Sequence, residues 1–174
     1  LGINDFRVDR LTGEILRDVF DLPGKATLEV VTEAYKTRPE LLTIQADANP
    51  AFEADPRDHA TPLAMLQLLL AIDSGTAMSA ESSEFLLGVM SRTRTGDGRI
   101  KGLLPKGTPV AHKTGTTGGV ANDVGYVTLS DGRRFAIVVF TNSSDTPVED
   151  RDRAIAEISR ALFDYFYLAA AAKQ

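Results

Sequence analysis

The spacing of apolar residues changes period twice along this chain. Between residues 27 and 37, Leu28, Val31 and Tyr35 recur at helical intervals, with Pro23-Gly24 before them and Pro39 after. Thr61-Pro62 predicts a second helix, with a hydroxyl at the N-cap and proline at the first helical position. Leu63, Met65, Leu66, Leu69, Leu70 and Ile72 make that helix apolar on most faces, which predicts burial. Ser74-Gly75 ends it, and Ser79 caps a third helix that directs Phe85, Leu86, Val89 and Met90 to the core. The period then shortens. Val110-Ala111, residues 124–129 and residues 135–141 read as strands, the last two joined across Asp131-Gly132, a hairpin signal. Residues 135–140 are continuously apolar, which predicts a central strand covered on both faces. Helical spacing returns with Ile155, Ile158, Leu162, Tyr165 and Phe166, behind a capping box in Thr146-Pro147-Val148-Glu149; residues 169–174 are expected to fray.

Composition narrows the partners. A chain of 174 residues is long enough for one domain with a real core, and no repeat, low-complexity tract or linker divides it. A net charge of −5 and a pI near 5.0 argue against nucleic acid or an anionic membrane as the main partner, because phosphate binding needs clustered Lys and Arg. There is no cysteine, and His59 and His112 are too few for a zinc site, so no metal and no cofactor are expected. No segment reaches the roughly 18 apolar residues of a membrane span. The chain opens on Leu1-Gly2 with neither Met nor a signal peptide, which leads us to expect a processed or truncated piece.

The chemistry concentrates in Val110-Ala111-His112-Lys113-Thr114-Gly115-Thr116-Thr117-Gly118-Gly119. An apolar strand start ends in a cation, hydroxyls and glycines, which reads as the lip of an active site. Gly115 carries no side chain, so a substrate backbone could approach, and the exposed edge could pair with an amide-like ligand.

Lys113-Thr114-Gly115 resembles the K-T-G element of class A β-lactamases and penicillin-binding proteins. Its context resembles them too, in the usual order: Arg57-Asp58-His59-Ala60-Thr61-Pro62, Thr95-Gly96-Asp97-Gly98-Arg99-Ile100, Asn122-Asp123-Val124-Gly125, then the two later strands. The resemblance implies an α+β fold with an antiparallel sheet flanked by helices in three αβα layers. It also implies a serine hydrolase that opens β-lactam rings, outside the cytoplasm in the periplasm or secreted. Residues 1–174 would be the C-terminal part of a single catalytic domain. No serine here is followed three residues later by lysine, and no Ser-Asp-Asn occurs, so both elements are expected in a preceding segment. Asp9-Arg10 matches the pair that opens the family's Ω-loop, and Asp58 the aspartate that closes it. They stand about three times farther apart than the resemblance implies, so the loop from about 10 to 58 carries an insertion.

By the same resemblance Lys113 is a catalytic residue, Lys113 and Thr114 hold a substrate carboxylate, and Gly115 and Thr116 offer the edge and an oxyanion-hole N–H. Arg99 is a bidentate carboxylate binder. Neither count delivers the family's deacylating glutamate: counting forward, Thr12 takes the matching place and Glu14, the nearest carboxylate, stands two residues late; counting back from Arg57-Asp58, Gln45 takes the glutamate's place and Asn49 that of the family asparagine. A glutamine cannot take a proton at neutral pH, so Gln45 in that place implies slow clearance of the acyl-enzyme. The readings left open are a β-lactamase, a penicillin-binding or esterase-like slow acylator of acyl-D-Ala-D-Ala-like substrates, and an inactive binding module. Packing against the missing segment or a second copy, as a homodimer, is expected.

Overall fold

The computed structural model describes residues 1–25, 27–42 and 50–171. Helices α1 (Thr12–Val19), α2 (Leu28–Thr37), a 3-10 turn (Pro39–Leu42) and the short α3 (Pro50–Glu53) precede α4 (Pro62–Asp73) and α5 (Ala80–Met90). Strands β1 (Val110–Thr117), β2 (Val120–Thr128) and β3 (Arg134–Val139) follow, and α6 (Val148–Ala171) ends the described chain.

The three strands form one antiparallel sheet in the order β1-β2-β3, with Val110 opposite Val127 and Val127 opposite Phe135. Alternation sends Val127, Phe135, Ile137 and Val139 to one face, where Ile155 and Phe163 of α6 cover them. Val124, Tyr126, Ala136 and Val138 go to the other, under Met65 and Leu69 of α4 and Leu86, Leu87 and Met90 of α5. These are the three αβα layers. The Tyr126 hydroxyl donates to the Leu69 carbonyl at 2.6 Å, and the Ser83 hydroxyl to the Ile72 carbonyl at 3.0 Å, fixing sheet to α4 and α5 to α4. No described helix is long and apolar enough to cross a membrane.

The central strand is β2, and β3 lies at an edge of the described sheet, contrary to the expectation from its apolar run. The run reflects cover on both faces, which periodicity reads; strand order it does not. Helix α4 is likewise less buried than its composition implies, with Leu63 64% and Leu70 52% exposed. On α5, Leu86, Leu87 and Met90 meet the sheet, while Phe85 at 73% and Val89 at 44% face outward. On α6 the inner stripe is Ile155, Ala156, Ser159, Leu162, Phe163 and Phe166, whereas Ile158 and Tyr165 are exposed. Its first amides bond the Pro147 carbonyl and the Thr146 hydroxyl meets Ser144, so the start lies one residue beyond the expected box. Helicity continues through Ala171, past the point where fraying was expected.

Thr61 caps α4 by accepting the Ala64 N–H at 3.2 Å, and Pro62 follows at the first helical position, where its missing N–H costs nothing. Replacing Thr61 with alanine is expected to destabilise the fold by about 1 kcal/mol, read as a lower midpoint in thermal unfolding; an unchanged midpoint would refute the cap.

Residues between 10 and 58 build a small core of their own. Leu22, Val31 and Leu41 are buried together, and Phe20 meets Tyr35 edge-on at 5.9 Å. Thr27 caps α2, its hydroxyl accepting the Val30 N–H at 3.3 Å, and Leu28, expected on the apolar face, is exposed. At the neck Phe6 bridges Ala60, and the Arg7 N–H donates to the His59 carbonyl at 2.9 Å.

Candidate active site

A cavity of ≈ 670 Å³ opens where β1, the start of α4, the residues after β3 and the segment around α3 converge. Residues 113–117 form one wall, Pro62 and Met65 a second, Thr141 and Asn142 a third, and Phe52, Glu53, Asp58 and His59 a fourth.

β1 is held from its outer side. The Thr93 hydroxyl donates to the His112 carbonyl at 2.6 Å, and the hydroxyls of Thr95 and Thr114 meet at 2.6 Å. Since residues two apart in a strand present main-chain groups to the same edge, Thr114 and Thr116 turn theirs outward as His112 does. Gly96, at φ 72°, makes this contact close; a Cβ there would lie 2.5 Å from the Thr114 methyl. Lys113 is exposed, lies on the α4 side of the sheet, and its ammonium bonds the Thr114 carbonyl.

Arg99 differs from its expected placement as a carboxylate binder. It is 4% exposed, and its guanidinium donates to Asp152 at 2.7 Å, to the Gly115 and Asn122 carbonyls at 3.0 and 2.8 Å, and to the Thr116 hydroxyl at 2.7 Å. Four of its five N–H groups are thus committed to protein acceptors, and it fastens β1 and β2 together from beneath.

Under the same strand lies a pair that the sequence reading does not single out. His112 and Asp123 are completely buried, with His112 Nδ1 2.9 Å from both carboxylate oxygens, and Asp123 also accepts the Ile100 N–H at 3.2 Å. Gly125 faces His112 across the ladder, and a Cβ there would lie 2.1 Å from the Ala111 carbonyl oxygen. The glycine is what lets the two strands close over the imidazole. An alternation of His and Asp in neighbouring strand segments was the available signal.

The cavity's fourth wall is tied down by Arg10, whose side chain is 4% exposed. Its Nε donates to Asp58 at 2.5 Å and its Nη1 to Asp18 at 2.8 Å and Asp55 at 3.3 Å, with the Phe52 ring 5.1 Å below the guanidinium. The pairing of Arg10 with Asp58 is the one expected from sequence; Asp18 and Asp55 join it unannounced. Asp58, at φ 55°, also accepts the main-chain N–H groups of Asp9 and Arg10 at 2.6 and 3.1 Å. Burial opposes the charge on Arg10, but hydrogen bonds to Asp58 and Asp18 outweigh it and raise its pKa. Burial likewise pushes Asp58 and Asp18 up, and Arg10 brings both below the ordinary carboxylate range. Arg57 holds Asp55 well below it.

Glu14 is spent elsewhere: its carboxylate accepts the Leu11 N–H at 2.7 Å as part of the α1 cap, and it does not line the cavity. Gln45 and Asn49 lie outside the described residues. Glu53, which the sequence reading passes over, does line it; one oxygen accepts the Ser143 hydroxyl at 2.5 Å, and the other is buried without a partner among the described residues. Its signal was an acid at the end of a proline-initiated turn just before Arg57-Asp58. Among the described residues no group of three or more His, Cys, Asp or Glu is arranged to hold a metal.

A family model described as "Beta-lactamase enzyme family" matches residues 16–166. The chain is 40% identical over 115 residues to Beta-lactamase VEB-1 of Pseudomonas aeruginosa, covering 62% of this chain and 38% of that protein. It is 40% identical over 122 residues to a beta-lactamase of Bacteroides uniformis, covering 66% and 41%. Among solved structures, TLA-1 extended spectrum beta-lactamase superposes with TM-score 0.62 at 32% identity over 79% of this chain and 54% of that one. A class A beta-lactamase representing the last common ancestor of Gram-negative bacteria (GNCA4) gives 0.67 at 28% identity over 95% and 51%. The chain spans about two fifths of the length of these curated relatives.

Proposed function

Because the chain belongs to the class A beta-lactamase family, we propose that the complete protein hydrolyses β-lactams through a serine acyl-enzyme, and that residues 1–174 form the substrate-binding half of its catalytic domain. The observation that carries this is the Lys113-Thr114-Gly115 edge of β1, which lines a ≈ 670 Å³ cavity with its ammonium exposed. Lys113 and Thr114 hold the substrate carboxylate, the charge-assisted bond being the stronger of the two. Thr116 pairs its main chain with the substrate amide and offers its N–H to the developing oxyanion. Gly115 keeps that edge free of a side chain. Arg99 is a positioning residue, holding Thr116 and Gly115 in place.

The serine and the lysine that activates it come from outside these residues. Leu63 and Leu70 on α4, with Phe85 and Val89 on α5, expose apolar surface that suits a packed neighbouring segment. Residues 10–58 are an enlarged Ω-loop, and the setting is periplasmic or extracellular.

A chromogenic cephalosporin tests the proposal on the full-length protein. Continuous turnover, with one penicilloyl adduct per chain trapped by rapid quenching and weighed by mass spectrometry, is expected. A single stoichiometric burst would identify a slow acylator instead. Absence of any adduct would sink the hydrolase reading.

A further inference from the structure

Resting on the acyl-enzyme reading above, we propose that His112 is a positioning residue for Lys113: its imidazole, anchored on Asp123, fixes the part of β1 from which the ammonium reaches a substrate carboxylate. Residues 112–116 are fastened one after another. The His112 carbonyl accepts the Thr93 hydroxyl, Thr114 meets Thr95, and Arg99 holds the Gly115 carbonyl and the Thr116 hydroxyl. Lys113 itself is exposed, and its ammonium bonds the carbonyl of the next residue, so its aim follows the strand. On the buried side of that strand, the fastening nearest to it is the imidazole.

Alternation puts His112 and Asp123 on the α6 face of the sheet, in the layer that holds Val110, Val127 and Ile137. Burying an imidazole and a carboxylate there costs stability that an apolar pair would not. What the pair supplies is direction. Opposite His112 stands Gly125, where a Cβ would lie 2.7 Å from the His112 Cα. With no side chain on Gly125, no cross-strand pair sets the strand at this register, and the ring takes over that task. It reaches diagonally to Asp123, which stands opposite Thr114.

An ionised carboxylate only accepts, so His112 Nδ1 carries the proton in the 2.9 Å contacts with Asp123. His112 Nε2 is buried with no partner among the described residues, so the ring is held through Nδ1. Asp123 also accepts the N–H of Ile100, the residue after Arg99, at 3.2 Å. One carboxylate therefore ties β1 to β2 and to the loop whose arginine grips the other end of the Lys113 edge. Such placement counts, because misplacing a group by ~1 Å costs as much as ~100-fold in rate.

Asparagine places its Nδ2 the same number of bonds from Cα as histidine places Nδ1, whereas the amide of glutamine lies one bond farther. In the full-length protein, His112→Asn is expected to keep KM for a penicillin within ~2-fold of the parent, and His112→Gln to raise it ~10-fold, inside the range that misplacement costs. kcat should change less, and a penicillin ester without the carboxylate should be turned over by both variants as by the parent. His112→Gln leaves a buried carboxylate short of a donor, so a second variant joins His112→Leu to Asp123→Asn, which removes the charge and keeps an acceptor for the Ile100 N–H. It is expected to unfold at the parent's temperature and still show the raised KM. A parental KM in that folded double variant would overturn the proposal, as would equal KM values in His112→Asn and His112→Gln, or equal losses on penicillin and ester. A further readout needs no turnover: the NMR resonances of the Lys113 Cε methylene should shift in His112→Gln and stay in place in His112→Asn. If the parent forms no adduct, the acyl-enzyme reading fails, and these resonances decide the role of His112 by themselves, their constancy in both variants overturning it.

Discussion

Exchanging Arg10's closest partner, Asp58→Asn, is expected to destabilise the protein by about 3 kcal/mol, the lower end of what breaking a buried pair costs. The lower end applies because Asp18 at 2.8 Å and Asp55 at 3.3 Å still face the guanidinium. An amide cannot supply the charge that Asp58 gives to Arg10, and it must also satisfy the N–H groups of Asp9 and Arg10. The loss should fall first on residues 10–58, so hydrogen exchange there should quicken before the sheet loosens. Asp18, Asp55 and Asp58 all have folded pKa values below their unfolded value near ~3.9. The stability they supply is therefore whole above about pH 4 and lost as pH falls through the folded values. Limited proteolysis across that range should cut residues 10–58 increasingly below about pH 4 in the parent, and less steeply in Asp58→Asn. A variant that unfolds like the parent at neutral pH would show that the Arg10–Asp58 pair does not hold residues 10–58 in place.

Lys113→Ala should lower kcat/KM for a penicillin by about 10- to 100-fold in the full-length protein, corresponding to the ~1.5–3 kcal/mol of a hydrogen bond to a charged group. The loss is expected mainly in KM, because the ammonium meets a carboxylate present in substrate and transition state alike. A substrate ester lacking that carboxylate supplies the control. If Lys113→Ala impairs both substrates equally, the lysine shapes the strand and does not hold the ligand. Lys113 is exposed, and among the described residues its ammonium bonds the neighbouring Thr114 carbonyl, so its removal leaves the core beneath untouched.

Much of the frame was legible because it is written in local patterns. Thr61-Pro62 and Ser79 announce helix starts by capping chemistry, and each cap forms. Asp131-Gly132 announces the hairpin, and the N–H of Gly132 closes on Leu129 at 3.0 Å. Misreadings arose where an apolar residue could face either way. Phe85 and Leu86 are adjacent and equally apolar, and only the neighbouring sheet decides that Leu86 turns inward. Residues of the cavity were legible where they sit together in the chain, as Lys113 to Thr116 do. Glu53 and Ser143 are 90 positions apart, and no spacing rule brings them together. Arg99 shows a third kind of difference: its identity marks it for an anion, and Asp152 supplies one from within the protein.

The neck where Phe6 bridges Ala60 brings both limbs of the intervening segment into main-chain contact, while Leu22, Val31 and Leu41 pack among themselves beyond it. Such a region has the form of a cassette: its ends are already side by side, so a graft or an excision there needs only a short splice, and changes in its length leave the register of the sheet alone.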